Sequence, residues 1–264
     1  MTLLQTVLSL LSGGTVGLSL GLIGGGGSVL AVPLLVYVVG MKSPHEAIGT
    51  SAVAVAANAF LNLLGHARKH TVKWSCAVVF ALAGIAGAAI GADFGKAVNG
   101  AKLLAMFGAL MIVISVLMLR PRRGGDVADV RLDRTSSLRL LPPLVGIGFT
   151  VGALSGFFGI GGGFLIVPGL VAATSMPLLN AIGSSLVCVT AFGATTAVSY
   201  ALSGFVNWPV ALAFIAGGTV GGYLGTLLAH RLAADRRVLA LVFSGIVAAV
   251  GIYVLLKGLP ALIA

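Results

Sequence analysis

The chain has 264 residues, of which 58% are hydrophobic and only 8% are charged, and its formal net charge is +10. A soluble domain carries about 25% charged residues, so this composition excludes a soluble globular protein. The positive charge does not indicate nucleic-acid binding, because Lys and Arg stand between apolar segments, where membrane proteins concentrate them in cytoplasmic loops.

Eight apolar segments follow one another along the chain, and each can cross a hydrocarbon core of about 30 Å. A polar stretch at 120–139, with six Arg and three Asp, separates the first four from the last four. We therefore predict an N-terminal transmembrane repeat at 1–119, a basic cytoplasmic linker at 120–139 and a C-terminal transmembrane repeat at 140–264. The segments are 2–40, 47–65, 74–92, 101–119, 140–173, 178–203, 208–229 and 238–259.

The two halves share a sequence pattern. "GLIGGGGSVLAVP" at 21–33 and "GFFGIGGGFLIVP" at 156–168 are identical at seven of thirteen positions. After a shift of one residue, "AIGTS" at 47–51 matches "AIGSS" at 181–185, and Trp74 matches Trp208. The expected fold is an all-α polytopic membrane protein made of two homologous four-segment halves.

The glycine runs predict a break in the first segment of each half. The uncharged run before Lys42 would be about 60 Å long as one helix, twice the core thickness, and each glycine weakens a helix by about 1 kcal/mol relative to Ala. Glycines spaced every four residues, such as Gly13, Gly17 and Gly21, instead suggest close helix packing. The breaks are predicted at Gly24, Gly25, Gly26 and Gly27, and at Gly159, Gly161, Gly162 and Gly163.

A broken helix within the membrane leaves backbone N–H groups free at the start of the second half-helix, near Ser28 or Gly163. Such an N-terminus is suited to bind an anion. Paired breaks at matching positions of two halves are typical of a transporter's substrate site. We therefore place a candidate anion site at the two breaks.

The charge distribution bears on orientation. If every segment crosses the membrane, the halves are parallel, and 10 of the 16 Lys and Arg fall on one side. If the first segment of each half dips in and returns, the halves are inverted, and 12 of the 16 fall on one side. The positive-inside rule favours the inverted arrangement slightly, and both remain open at this point.

"GLIGGGGSVLAVPLL" and "GFFGIGGGFLIVPGL", with "EAIGTS" and "NAIGSS" after them, resemble the signatures of the sulfite exporter TauE/SafE family, also called TSUP. The resemblance covers nearly the whole chain. It implies a multi-pass protein of the bacterial inner (plasma) membrane that exports sulfite, organosulfonates such as sulfoacetate, or related anions. Ser28 pairs with Gly163 in the repeat, so the two halves need not contact a ligand equally.

Other polar residues within or beside the apolar segments have two interpretations each. Glu46 stands where an acidic residue favours a helix N-terminus. Together with His45 it is also a candidate for proton coupling, because imidazole groups as a class titrate near neutral pH. Asp93 and Lys96 predict a helix-end ion pair. A further set of polar residues could form interhelical hydrogen bonds or line an oxyanion pathway, and the sequence favours neither role. Its members are Thr50, Ser51, Asn58, Ser184 and Ser185, with Thr190, Thr195 and Thr196 further along the segment of the two serines.

The function that the sequence supports is a secondary transporter of small sulfur-containing anions. The alternatives are an anion channel and a transporter of another small anion such as a carboxylate. No catalytic triad, paired carboxylate or metal cluster is recognisable, so we expect neither an enzyme, nor a cofactor, nor a metal, and we interpret Cys76 and Cys188 as small buried hydrophobes. The expected partners are a small anion and the lipid bilayer, and the sequence leaves a homo-oligomer open.

Overall fold

The structure, a computed structural model, describes residues 2–68, 71–119, 134–159, 163–231 and 236–263. These residues form helices and no strand, which confirms the all-α fold class. A 3-10 helix at Gly24–Leu30 and a π-helical turn at Leu34–Val38 flank the short α2. The α-helices are α1 Leu3–Ile23, α2 Ala31–Pro33, α3 Pro44–Arg68, α4 Trp74–Ala97, α5 Gly100–Leu119, α6 Arg134–Phe158, α7 Gly163–Thr174, α8 Leu178–Leu202, α9 Trp208–Arg231 and α10 Arg236–Ile263.

Seven helices of the described part of the chain are long and apolar enough to cross a membrane. They are α1, α3, α4, α5, α6, α8 and α9, and their exposed faces carry large apolar side chains such as Leu82, Phe94 and Leu212. In water such a surface would be unfavourable, whereas lipid accepts it. Trp74 and Trp208 stand half-exposed at the first residues of α4 and α9, where aromatic side chains mark membrane interfaces.

The first segment is a hairpin, in which the residues after the glycine run pack back against α1. Gly27 packs so closely against Ser19 and Leu20 that a Cβ added to it would lie 2.5 Å from the backbone nitrogen of Leu20. The chain therefore reverses within Gly24–Gly26. The returning arm of the hairpin then contacts α1, and residues 39–42 line a common pocket with Gln5, near the start of α1.

The second half forms a matching hairpin from α6 and α7. Gly159 adopts φ +66°, a conformation that glycine reaches without strain, and ends α6. Gly169 of α7 lies against Ile147 and Val151 of α6, so α7 runs back along α6. Both hairpins end in a left-handed residue at matching positions, Gly40 with φ 78° and Ser175 with φ 55°.

The two hairpins differ in the segment after the break. An α-helix begins at Gly163, as expected, but the α-helical N-terminus expected near Ser28 is absent, because Ser28 lies inside the 3-10 helix. A 3-10 helix eclipses side chains at i and i+3. A run of four glycines has no side chains to eclipse, so it can wind this tightly, whereas the second half carries Ile160 within its glycines.

The first helix of each half, α1 or α6, packs on the helix of the third apolar segment of the other half, α9 or α4. Within each pair the contacts advance in the same direction, so α1 is parallel to α9 and α4 is parallel to α6. Small residues at these contacts bring the backbones close together, as the glycine spacing predicts. The contacts pair Gly13 with Phe214, Gly17 with Gly218, Gly21 with Gly222, Gly84 with Gly148, Gly87 with Phe149 and Gly91 with Ala153.

Counterpart helices of the two halves run in opposite directions. Gly49 near the start of α3 contacts Tyr200 near the end of α8, and Gly193 of α8 contacts Ala56 of α3. The α5–α10 pair shows the same relation, because Ser244 donates to the carbonyl of Ser115 while Gly258 lies against Ala105. Repeat partners that are antiparallel have the geometry of an inverted repeat.

This geometry assigns every connection to one of two faces. The ends of α3, α5 and α9, together with the starts of α4, α6, α8 and α10, share one face, which we call the basic face. The segments 66–73, 120–139 and 230–237 join these helix ends and hold 12 of the 16 Lys and Arg. We call the opposite face, with the starts of α1, α3 and α9, the outer face.

Candidate functional site

The glycine breaks lie where the two hairpins turn inside the protein. Gly27, Ser28, Gly159 and Gly163 are buried, and Gly24, Gly25 and Gly26 open the 3-10 helix. Gly161 and Gly162 lie outside the described residues. The 3-10 helix contacts α7, so the structure brings the two hairpins together in the core.

Ser51 joins the start of α3 to the second hairpin. Its hydroxyl lies 2.8 Å from the carbonyl oxygen of Ile48 and 3.3 Å from that of Gly159, and it donates to this pair of acceptors. The counterpart Ser185 donates to the carbonyl of Ile182 at 2.7 Å. In this state both hydroxyl protons are already used by backbone carbonyls.

Thr50 and Ser184 hold the starts of helices in the opposite half. The backbone N–H of Asn207, just before α9, donates to Thr50 Oγ1 at 2.9 Å. The backbone N–H of Lys73, just before α4, donates to Ser184 Oγ at 2.9 Å. Since these positions correspond in the repeat, the same hydrogen bond occurs twice, once at each face.

Asn58 lies two turns beyond Ser51 and faces α9. Its side chain packs against Gly218, and its Oδ1 lies 3.5 Å from Thr219 Oγ1, at the outer limit of a hydrogen bond. The Nδ2 atom is buried and has no hydrogen-bond partner among the described residues. The repeat counterpart is Phe192, which packs on Gly84 in the same manner, so an amide in one half replaces a phenyl ring in the other.

Glu46, the candidate for helix capping or for proton coupling, lies at the outer face. Its backbone N–H is 3.4 Å from Ser43 Oγ, which places it in the first turn of α3, and its Oε1 accepts a hydrogen bond of 2.9 Å from Asn207 Nδ2. The carboxylate thus links α3 to α9. The neighbouring His45 packs its ring against Phe205, at 5.6 Å between ring centroids.

A pocket of about 560 Å³ opens beside Glu46. Its polar lining comes from Gln5, Lys42, Glu46 and Asn207, with Trp208 at its edge. It lies where the root of the first hairpin meets the starts of α3 and α9. The pocket therefore forms a recess at the outer face that reaches Glu46, the only acidic side chain in the α3 segment.

The predicted ion pair of Asp93 and Lys96 is confirmed, with Oδ1 and Nζ 2.9 Å apart. Lys96 also donates to Ser199 Oγ at 2.9 Å and to Ser203 Oγ at 3.3 Å, so it fastens the end of α4 to the end of α8. Cys76 and Cys188 are buried free thiols. Within the described ranges, no three His, Cys, Asp or Glu side chains are grouped to hold a metal.

Sequence reasoning did not single out three polar residues that the fold makes prominent. Asn207 caps α9 through Oδ1, which accepts from the N–H of Val210 at 3.3 Å; Asn directly before a helix was a signal available for this role. Ser155 and Tyr200 are completely buried hydroxyl residues, as is Thr196. For Ser155 and Tyr200, the only available sequence signal was a polar side chain within an apolar segment.

Comparison with known proteins gives one family. The model of the family described as "Sulfite exporter TauE/SafE" matches residues 9–254. A "Probable membrane transporter protein" of Xylella fastidiosa (strain Temecula1 / ATCC 700964) is 51% identical over 264 residues, which is 100% of both chains. "Probable membrane transporter protein YunE" of Bacillus subtilis (strain 168) is 32% identical over 243 residues, covering 86% of this chain and 88% of the relative.

No solved structure gives a significant match. The family match extends from α1 to α10 and so includes both hairpins. The relatives are named as transporters and not as enzymes, in agreement with the apolar helices of a multi-pass inner-membrane protein. The chain belongs to the sulfite exporter TauE/SafE family of membrane transporters.

Proposed function

We propose that the protein is a secondary transporter that exports small sulfur-containing anions, such as sulfite or organosulfonates such as sulfoacetate. The observation that carries the proposal is the pair of glycine-turned hairpins, which enter from opposite faces and meet in the core. The description of the matching family names sulfite as the exported anion.

The inverted pair of hairpins suits alternating access. Each hairpin enters from one face and turns deep inside the protein, so one hairpin is positioned to limit access from the outer face and the other from the basic face. Transporters with inverted repeats hold their substrate near the repeat interface and rock one part against another. The hydrogen bond from Ser51 to Gly159 ties the second hairpin to α3 at this interface.

The chemistry of the core suits a weakly held anion. The described spans place hydroxyls, amides and backbone N–H groups in the interior, whereas the lysines and arginines stand near helix ends. Neutral donors can bind an oxyanion without the desolvation cost of a buried cation. Such a site also releases its ligand readily, which transport requires.

We further propose proton coupling through Glu46. Glu46 lines the pocket at the outer face, and its carboxylate accepts a hydrogen bond from Asn207 at the start of α9. Protonation would weaken this charge-assisted contact between α3 and α9. A proton from the outside would therefore loosen the contact between α3 and α9 at the outer face.

Transport in proteoliposomes tests the proposal. Vesicles loaded with sulfite, sulfoacetate, thiosulfate, taurine or acetate are assayed for exchange against labelled substrate. We expect saturable counterflow with the sulfur-containing anions and little with acetate. Equal exchange of acetate would redirect the proposal to carboxylates, and voltage-driven currents without saturable counterflow would identify an anion channel.

A further inference from the structure

Three buried hydroxyls are not used by the contacts described above. Ser155, Thr196 and Tyr200 are each 0% exposed, and their hydroxyl oxygens have no hydrogen-bond partner among the described residues. Leaving a buried hydroxyl unpaired is unfavourable. Each such group in a folded protein therefore calls for a physical explanation.

Other hydroxyls on the same helices are satisfied locally. Thr190 donates to the carbonyl of Leu186 at 2.7 Å, and Thr195 donates to that of Ala191 at 2.8 Å. This bond to the preceding turn is the ordinary arrangement of Ser and Thr within a helix. Thr196, the next residue along α8, departs from it.

The three hydroxyl residues lie on α6 and α8, whose ends both pack on the start of α3. Tyr200 and Gly159 contact consecutive residues of α3, Gly49 and Ile48. Thr196 precedes Tyr200 by one helical turn, and Ser155 precedes Gly159 by one helical turn, so each shares the face of its partner. The helices α6 and α8 are in contact and run in the same direction. One turn back from Gly159 and one turn back from Tyr200 therefore bring Ser155 and Thr196 to a similar level along the helix bundle.

We propose that the hydroxyls of Ser155, Thr196 and Tyr200 form a binding site for an oxyanion of three oxygens, such as sulfite or a sulfonate, beside the turn of the second hairpin. The inference rests on the proposed function and locates its substrate. Three neutral O–H donors match an acceptor-only ligand, and none of them carries a charge that would hold the anion too tightly.

The surroundings of the site complement an anion. Lys96, near the end of α4, donates to Ser199 of α8, the residue next to Tyr200. The two acids among the described residues are engaged elsewhere, Glu46 with Asn207 and Asp93 with Lys96. An anion beside Tyr200 therefore meets no unpaired carboxylate in the described part of the chain.

Ligand-dependent thermal stabilisation of the purified protein tests the site, with sulfite and methanesulfonate as probes. The variants Ser155→Ala, Thr196→Val and Tyr200→Phe each remove one hydroxyl and keep the surrounding packing. We expect each to weaken binding of both probes by about tenfold or more, the effect of losing one hydrogen bond to a charged group. Their melting temperatures without ligand should not fall, because no hydrogen bond of the free protein is lost.

The matched control is Thr195→Val, which removes a hydroxyl from the adjacent position of α8 and should bind both probes as the parent does. Parent-like binding in all three variants would overturn the site and leave the proposed function standing. A control that loses binding as much as the variants do would also overturn it, as a general disturbance of α8. A parent that binds neither probe would overturn the proposed function together with the site.

Discussion

At the scale of single residues, the hydroxyls near the start of α3 and α8 connect the two halves. Thr50 accepts from the N–H before α9, and Ser184 accepts from the N–H before α4. Both residues are completely buried. The sequence allowed either interhelical hydrogen bonding or anion binding for them, and the observed contacts account for them as interhelical links in this state.

The first prediction concerns these links. Thr50→Val and Ser184→Ala each leave a backbone N–H without its acceptor, which costs about 1–3 kcal/mol when the group is buried. We expect both variants to lower the melting temperature in detergent, while Thr190→Val, whose hydroxyl bonds only to its own helix, should change it less. Unchanged stability with lost anion binding would instead assign Thr50 and Ser184 to the ligand.

The second prediction concerns Glu46. Glu46→Gln retains an oxygen that can accept from Asn207 Nδ2 and removes only the charge. If Glu46 carries the coupling proton, this variant should lose uptake driven by a pH gradient in vesicles while its ligand-dependent thermal shift persists. Gradient-driven transport equal to that of the parent would limit Glu46 to capping α3 and linking it to α9.

At the scale of elements, glycines serve two different purposes. In the α1–α9 and α4–α6 pairs they allow backbones to touch, since an added Cβ at Gly17 would overlap the backbone of Gly218. At the hairpin turns they allow the chain to reverse, as Gly159 does with its positive φ. Sequence spacing distinguished the two uses, because packing glycines recur every four residues and turn glycines are consecutive or nearly so.

The third prediction follows from the tightest helix contact. Gly17→Ala places a methyl group against the Gly218 backbone, and such overpacking typically costs about 1–3 kcal/mol. Gly146→Ala is the matched control, because no atom lies within 4 Å of its added Cβ and its position in α6 is exposed. We expect a lower melting temperature for Gly17→Ala only; equal values would mean that α1 and α9 separate freely.

At the scale of the whole molecule, the halves are interlocked and not side by side. The first helix of each half packs on the helix of the third apolar segment of the other, while the counterpart pairs α3–α8 and α5–α10 run antiparallel. This arrangement gathers the connections that hold 12 of the 16 Lys and Arg at one face. By the positive-inside rule, the basic face is predicted to be cytoplasmic.

The fourth prediction tests this orientation. A single cysteine at Ser203, exposed at the outer face, should react with an impermeant thiol reagent added to intact cells. A cysteine at Arg68, exposed at the basic face, should react only after permeabilisation, and Lys69 beside it lies outside the described residues. The native Cys76 and Cys188 are buried and give little background. Labelling of both sites from one side would contradict the inverted arrangement.

The sequence by itself determined the membrane class, the paired motifs and the positions of the breaks. Hydropathy, glycine runs and charge are properties of short stretches, so they are legible without knowing any distant contact. The same local logic located α7 at Gly163, but it failed at Ser28, where a tighter 3-10 helix replaced the expected α-helical start.

Only the tertiary structure decided which residues meet. The contacts of Thr50 with Asn207 and of Ser51 with Gly159 join positions 157 and 108 residues apart. In lipid, every face of a helix can be apolar, so hydropathy does not tell which face packs on which neighbour. The burial of Ser155, Thr196 and Tyr200 without a hydroxyl partner among the described residues therefore became visible only when the helices were placed together, because helix register and direction are set by packing.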